Sequence, residues 1–342
     1  MQKVKLSVNE LFSGIGNQVR GIRDTELFDV TVACTSDIDK DVMVSYAAIH
    51  NGLTNELIEN YTDYPSREQM AQDLLDRNIG FDFKKNKPYD WSKKARSKSK
   101  ELEKYWLAMK LSNNLGDISG IEELPYADLW TVSFCCQDIS VAGNLKGFEE
   151  NSGTRSSLVW QQIRLLRNSI AKNEAPKYIM FENVKNLVGK KFKREFDRLV
   201  NVLDELGYTT YWEILNAKNC GVPQNRERVF AICIRKDIDI GKMTFPKPFD
   251  NGLRLKDVLD DKVDEKYYIN NEKADKLINE LIENGTLEKP NDYPVASRGR
   301  YTDDDSTEQN FEVRDETVAN AITTVQKDSM CLKCSAPSRV SR

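Results

Sequence analysis

Two adjacent thiols, Cys135 and Cys136, follow the run Asp128-Leu129-Trp130-Thr131-Val132 and open the loop Gln137-Asp138-Ile139-Ser140. A cysteine where a buried strand gives way to a loop is where an α/β enzyme places a nucleophile. The alternative is a pair of inert structural thiols, because free cysteine is among the most buried residue types. A carboxylate holds a comparable place. Tyr178-Ile179-Met180-Phe181 is a continuous apolar strand, the pattern of a parallel sheet buried on both faces, and Glu182 and Asn183 follow directly. Arg226 and Arg228 stand two apart in a strand-like stretch, so they share one side. Such a pair could hold a base edge or a phosphate, or serve in surface ion pairs. The single histidine, His50, argues against histidine triads and zinc–histidine sites.

Positioning these groups needs a sheet with its loops at one edge. Residues 4–12 read as a strand. Ser13-Gly14-Ile15-Gly16-Asn17 follows, then a helix to about residue 26. Strand, glycine turn and helix let a backbone approach a nucleotide-like ligand, with helix N–H groups facing it. An ordinary strand-to-helix turn would have the same pattern. Residues 30–34 form a second strand, and Asp37 follows about twenty residues past the glycines, the spacing of a ribose acceptor. Asp37 could equally cap the next helix. Gly116-Asp117-Ile118 precedes the cysteine strand. There Asp117 could accept from an adenine amino group with Ile118 against the ring, or simply shape a turn. Gly153-Thr154-Arg155-Ser156 opens a helix running to about residue 171, and Gly207 closes the helix at 192–206.

Residues 55–112 look like an insertion of two or three helices, with Ser66 as a cap. Its stretch 84–104 is rich in Lys and Arg, with Tyr89, Trp91 and Tyr105 interleaved. That pattern suits either a phosphate-contacting surface or a solvated helical face. Phe245-Pro246-Lys247-Pro248-Phe249 reads as a linker, and 290–342 as polar, irregular or short-stranded. Cys331 and Cys334 form one C-x-x-C without a second pair, so no metal is expected there. With 342 residues and 39% hydrophobic content, the chain can build one large domain and a smaller one. Seven cysteines without an apolar leader suit reduced thiols in a cytoplasm, and no run is long enough for a membrane span. A net charge of −4 leaves any nucleic-acid surface to local basic patches.

The order of these pieces resembles the DNA (cytosine-5)-methyltransferases of bacterial or phage type, over roughly residues 6–260. The most specific are Phe134-Cys135-Cys136-Gln137-Asp138-Ile139-Ser140, Phe181-Glu182-Asn183-Val184 and Gly221-Val222-Pro223-Gln224-Asn225-Arg226-Glu227-Arg228, supported by Leu11-Phe12-Ser13-Gly14-Ile15-Gly16 and Gly153-Thr154-Arg155-Ser156. The resemblance implies a Rossmann-like α/β fold dependent on S-adenosylmethionine, with a mixed, mostly parallel sheet and a smaller, incomplete target-recognition domain. Its domains would be 1–250, catalytic, and 251–342, partial DNA recognition. It implies Cys136 as the thiolate that adds to C6 of cytosine, Glu182 at N3, and Arg226 with Arg228 at O2 of a base flipped from duplex DNA. Phe12, Gly14, Ile15 and Gly16 would line the amino-acid end of the cofactor, Asp37 and Ile38 its ribose and adenine, and Asp117 and Ile118 the adenine's other side. Gln137, Asn183, Thr154 and Arg155 would meet the substrate. The setting would be restriction–modification or phage DNA protection.

Two departures stand out. The family has proline before its nucleophile, where this chain has Cys135; proline would fix φ and pre-organise the loop. And nothing after Cys334 resembles the family's closing strand and helix; only 317–332 looks like recognition-region sequence. The expectation is therefore a weak or inactive enzyme unless a second polypeptide supplies those elements. The alternatives are a truncated DNA-binding remnant, one half of a split enzyme, or the same chemistry on RNA.

Overall fold

The computed structural model describes residues 2–82, 85, 87–140, 146–150, 152–260, 264, 266, 268–269, 272–286, 293–301, 307–313, 318–320, 330–332 and 340–341. Lys84, Thr317, Lys333, Cys334 and the tail at 335–339 lie outside the described residues, and so does the C-x-x-C pair as a unit. The chain forms two compact units: Met1–Glu213 with Val229–Thr244, and Ile214–Arg228 with Phe245–Arg342. The sequence reading parted the domains near 250. The units part after Thr244, and the second also takes Ile214–Arg228. That loop closes on its own unit: Phe249 N–H donates to the Asn219 carbonyl at 2.9 Å, and Asn251 Nδ2 to the Gly221 carbonyl at 3.0 Å.

In chain order the first unit contains β1 (Val4–Leu11), α1 (Asn17–Asp24), β2 (Phe28–Ser36) and α2 (Lys40–His50). Next come α3 (Asn55–Asn60), α4 (Arg67–Asp76), α5 (Trp91–Arg96), α6 (Glu101–Leu111), β3 (Leu129–Val132), α7 (Val159–Ala171), β4 (Tyr178–Val184), α8 (Lys193–Glu205) and β5 (Tyr208–Asn216), whose residues from Ile214 on belong to the second unit. After β6 (Gln224–Asn225) of the second unit, β7 (Glu227–Arg235) returns to the sheet. The strand order is β2-β1-β3-β4-β7-β5, and the β1–β2, β1–β3 and β3–β4 pairings are parallel. The chain runs outward from β1 to β2, then crosses back to β3 on the other side of β1. That reversal opens a crevice beyond the carboxyl ends of β1 and β3, where open α/β sheets bind ligands.

One face of the sheet holds the main core. In α7, Val159, Trp160, Ile163 and Leu166 recur at helical spacing, and in α8 so do Phe196, Leu199 and Leu203; all are buried with Ile179 and Phe181 of β4 and Val229, Ala231 and Cys233 of β7. The other face differs from expectation. Tyr178 and Met180 of β4, and Phe230, Ile232 and Ile234 of β7, alternate with the buried set and stay partly exposed. β4 is therefore buried on one face only. A groove of about 460 Å³ lies there, lined by Leu6, Ile22, Phe28, Leu129, Met180 and Ile232 among others.

The insertion holds four described helices, α3–α6, where two or three were expected, and they share a second core with α2. Ser66 caps α4 as read, accepting from the Gln69 N–H at 3.1 Å. Trp91 and Tyr105 are core residues rather than a stacking surface. Trp91 Nε1 donates to the Ile79 carbonyl at 2.9 Å. Several lysines of the basic stretch have local partners: Lys94 pairs with Glu101, and Lys104 lies 4.8 Å over the Tyr105 ring.

The second unit contains β6, β8 (Tyr268–Ile269), α9 (Glu272–Glu283), β9 (Tyr293–Tyr301), β10 (Thr307–Val313), β11 (Ala319–Asn320), β12 (Met330–Leu332) and β13 (Val340–Ser341). Its larger sheet runs β10-β9-β12-β13-β8, and β11 pairs with β6 in parallel. β9 and β10 form an antiparallel pair of nine and seven residues, longer than the short or irregular strands expected there. Among the described residues no helix is long and apolar enough to cross a membrane.

Candidate active site

The glycine turn follows β1 in a strained backbone. Phe12, Gly14 and Gly16 adopt φ of +58°, +54° and +78°. Glycine takes such angles freely; Phe12 does not, and its surroundings must hold it there. Gly16 is pinned by contact, since a Cβ on it would stand 2.3 Å from His50 Nε2. The lone histidine thus backs this turn. Its Nε2 lies 3.0 Å from the Ile15 carbonyl and its Nδ1 3.2 Å from Arg23 Nη1. Arginine only donates, so Nδ1 accepts and Nε2–H donates to Ile15. Burial first, and the Arg23 charge with it, push the His50 pKa below its ordinary value. Beneath the turn Glu10, 1% exposed, accepts from the Val19 N–H at 3.2 Å and from the Tyr46 hydroxyl. Burial raises its pKa.

Asp37 is not the helix cap. Asp39 caps α2, accepting from the Asp41 and Val42 N–H groups at 2.9 and 3.1 Å. Asp37 instead accepts from the Gly14 N–H with Oδ2 and from the Asp39 N–H with Oδ1, both at 2.9 Å. Burial raises its pKa, while those two amides oppose the rise. Asn114, 3% exposed, ties this corner to the next: its Oδ1 accepts from the Asp37 and Gly116 N–H groups at 3.2 and 2.8 Å, and its Nδ2 donates to the Asp37 carbonyl at 3.0 Å. Gly14, Asp37, Asn114 and Gly116 therefore form one hydrogen-bonded rim; Ile38 and Asp117 adjoin it in sequence, and Ile118 is buried.

The cysteine loop leaves β3 beside Glu182, because Val132 pairs with Phe181 in register. Side chains from elsewhere hold its backbone carbonyls. Ser156 Oγ donates to the Cys135 carbonyl at 2.6 Å, Asn183 Nδ2 to Phe134 at 2.9 Å, and Asn186 Nδ2 to Ile139 at 2.6 Å. Asp138, 5% exposed, accepts the Arg155 N–H at 2.9 Å. Arg155 Nη1 donates to Gln137 Oε1 at 2.6 Å, and Thr154 Oγ1 to the Gly147 carbonyl at 2.9 Å. Both Cys135 and Cys136 are partly exposed free thiols, unlike the buried Cys34 and Cys233. Burial, followed by the adjacent Cys136, raises the Cys135 pKa.

Arg226 and Arg228 fall in the second unit. Arg226 N–H donates to Asn216 Oδ1 at 3.0 Å, and Arg228 Nη1 to the Glu227 carbonyl at 2.8 Å. The sequence reading did not single out Asp138, Ser156, Asn114, Asn186 or His50 for the site. Asp138 and Ser156 stand inside the motif pieces Phe134–Ser140 and Gly153–Ser156, and Asn114 is an asparagine two residues before a turn glycine; these are the signals that mark them.

A profile of the C-5 cytosine-specific DNA methylase family matches residues 83–337. The type II methyltransferase M2.ScrFI of Lactococcus lactis subsp. cremoris is 40% identical over 278 residues, 80% of this chain and 73% of that protein. The orphan methyltransferase M.SssI of Spiroplasma monobiae is 35% identical over 280 residues, 78% of this chain and 68% of its own. The solved structure of the S. pombe Dnmt2 methyltransferase superposes with a TM-score of 0.43 at 18% identity, over 82% of this chain and 66% of its own.

Proposed function

The chain belongs to the C-5 cytosine-specific DNA methylase family, whose class is DNA (cytosine-5)-methyltransferase, and from that premise we propose that it moves a methyl group from S-adenosylmethionine to C5 of a cytosine in duplex DNA. The observation that supports this reading is one edge of the sheet. There the glycine turn, Asp37 and the Cys136 loop follow the carboxyl ends of β1, β2 and β3, and Glu182 lies near the carboxyl end of β4, inside the strand.

The rim fits the cofactor. A Cβ on Gly14 would meet nothing within 4 Å, so the turn faces open space. Asp37 and Asp117 are acceptors for ribose hydroxyls and an adenine amino group, and Ile38 and Ile118 are apolar partners for the ring. Phe12, Ile15 and Gly16 would hold the amino-acid end. When bound, S-adenosylmethionine supplies an electrophilic methyl on a sulfonium.

Cytosine C5 is too weak a nucleophile to take that methyl unaided. The Cys136 thiolate adds to C6, forming an S–C bond, and the C5=C6 electron pair makes C5 carbanion-like. Glu182 holds a proton at N3, which stabilises the adduct. Arg226 and Arg228 hold O2, while Gln137, Asn183, Thr154 and Arg155 shape the substrate side, Asn183 through the Phe134 carbonyl. After methylation C5 loses its proton, the C5=C6 bond re-forms, and Cys136 leaves. The base must be flipped out of the duplex for this to occur. Restriction–modification or phage DNA protection is the setting, in keeping with the similarity to the type II methyltransferase M2.ScrFI. The test is incubation with tritiated S-adenosylmethionine and, in parallel, duplex DNA or RNA, then mapping of the labelled base. Label on cytosine C5 supports the reading; label in RNA alone, or in neither, rejects it.

One observation favours a second reading, that a further polypeptide completes the enzyme: the partly exposed apolar face over β4 and β7. An unpaired face of this kind is a docking surface or an aggregation liability. The carboxyl-terminal segment of M2.ScrFI, supplied as a separate polypeptide, should raise the methylation rate, and Ile232→Glu should cancel the gain. Full activity of the chain alone would defeat this reading.

A further inference from the structure

Asp117 is gripped from the helical insertion. The turn that ends α4 sends its Arg77 carbonyl to the Asp117 N–H at 3.0 Å and Asn78 Nδ2 to Asp117 Oδ2 at 2.9 Å. The Ser119 N–H occupies Oδ1 at 2.9 Å. The fit is close, since a Cβ on Gly116 would fall 2.0 Å from the Arg77 carbonyl oxygen. The same turn reaches the other adenine residue, with the Gly80 N–H donating to the Ile38 carbonyl at 2.6 Å. A carboxylate only accepts, so the amide nitrogen of Asn78 must face it. Asn78 also has a plainer reason to be there. It sits at φ +55° just past a helix end, where asparagine is tolerated.

We propose that Asn78 is a positioning residue for cofactor recognition, fixing the Asp117 carboxylate so that its remaining lone pairs meet the adenine amino group. This rests on the cofactor reading above. With two of about four acceptor positions filled, the carboxylate has a set orientation. It then favours an amino donor over the carbonyl of a hypoxanthine ring, which would present lone pairs to lone pairs. The insertion would thus take part in cofactor selection as well as pack beside the sheet.

The test is calorimetric binding of S-adenosylhomocysteine and S-inosylhomocysteine to the full chain. Wild type should prefer the adenosyl form by about ten- to a hundredfold, the worth of one hydrogen bond to a charged acceptor. Asn78→Gly keeps the left-handed backbone and removes only the amide. It should melt like wild type yet lose most of that preference, as Asp117→Asn does, and the double variant should lose no more than Asp117→Asn alone. Asn78→Asp, a second variant tolerated at this φ, should also lose the preference, because a second carboxylate accepts and cannot hold the first. Wild type binding neither ligand would defeat the cofactor reading and this inference together. Equal binding of both by wild type, or an unchanged preference in Asn78→Gly alongside a lost one in Asp117→Asn, would overturn this inference and leave the cofactor reading standing.

Discussion

The rim around Asp37 and the loop around Cys136 lie in one unit and differ in their commoner kind of bond, although Asn114 Nδ2 also donates to the Asp37 carbonyl in the rim and Asp138 accepts the Arg155 N–H in the loop. In the rim, backbone N–H groups of Gly14, Asp39 and Gly116 donate to fixed side-chain acceptors on Asp37 and Asn114. In the loop, side chains of Ser156, Asn183 and Asn186 donate to loop carbonyls. Each rim bond depends on the side chain of Asp37 or Asn114, and each loop bond on that of Ser156, Asn183 or Asn186. The two regions rely on separate side chains, so cofactor binding and methyl transfer should separate under mutation. Cys135 sharpens the contrast. Proline would restrain φ there, and the hydroxyl of Ser156 on the Cys135 carbonyl is a restraint of another kind.

The severest break is at the nucleophile. Cys136→Ser should take methyl transfer to background while leaving cofactor affinity intact by calorimetry; Cys135→Ser should retain transfer. Loss of transfer in the Cys135 variant with retention in the Cys136 variant would exchange their roles. Glu182→Gln comes next, with transfer reduced about 10²–10⁴-fold, the usual worth of a positioned proton donor. A fall in cofactor affinity with normal turnover would move Glu182 to the rim.

Ser156→Ala tests the loop's suspension. Misplacing a reacting atom by about 1 Å can cost on the order of 10²-fold in rate. The loss is expected in kcat, with little change in KM for the cofactor, and smaller in a Cys135→Pro background. An equal loss in both backgrounds would show that Ser156 does not substitute for the proline.

The smallest effect belongs to the rim. His50 has its pKa held down by burial, so the folded protein keeps it neutral where the unfolded chain would take a proton. The stability it contributes is complete above about pH 6.5 and falls below that value, and the folded imidazole gives up its neutral contacts with the turn only as pH falls through its lowered folded value. Cofactor affinity should drop a few-fold through that range, and His50→Gln, which keeps a side-chain donor, should flatten the profile. An unchanged slope in His50→Gln would place the titration elsewhere.

Much of this site was legible because strand ends are legible. Apolar runs ending in Gly14, Asp37, Cys136 and Glu182 mark the carboxyl edge of a sheet without any coordinates. What escaped were residues whose work is at a distance. Ser156, Asn186 and Asn78 act on carbonyls or carboxylates 21, 47 and 39 positions away, and no local pattern marks such pairs. The basic stretch left two readings open for a related reason: Trp91 and Tyr105 look like stacking residues beside lysines, and only long-range packing makes them a core. The half-exposed face of β4 escaped because an apolar run cannot say whether both its faces find partners.

The central claim is that Cys136 forms a bond to the target base, and a duplex carrying 5-fluorocytosine tests it most directly, because fluorine at C5 blocks the proton loss that frees the enzyme. Incubation with S-adenosylmethionine should give a covalent protein–DNA complex whose peptide mass maps to Cys136. A complex mapping to Cys135, or none from a preparation that methylates ordinary duplex DNA, would contradict it.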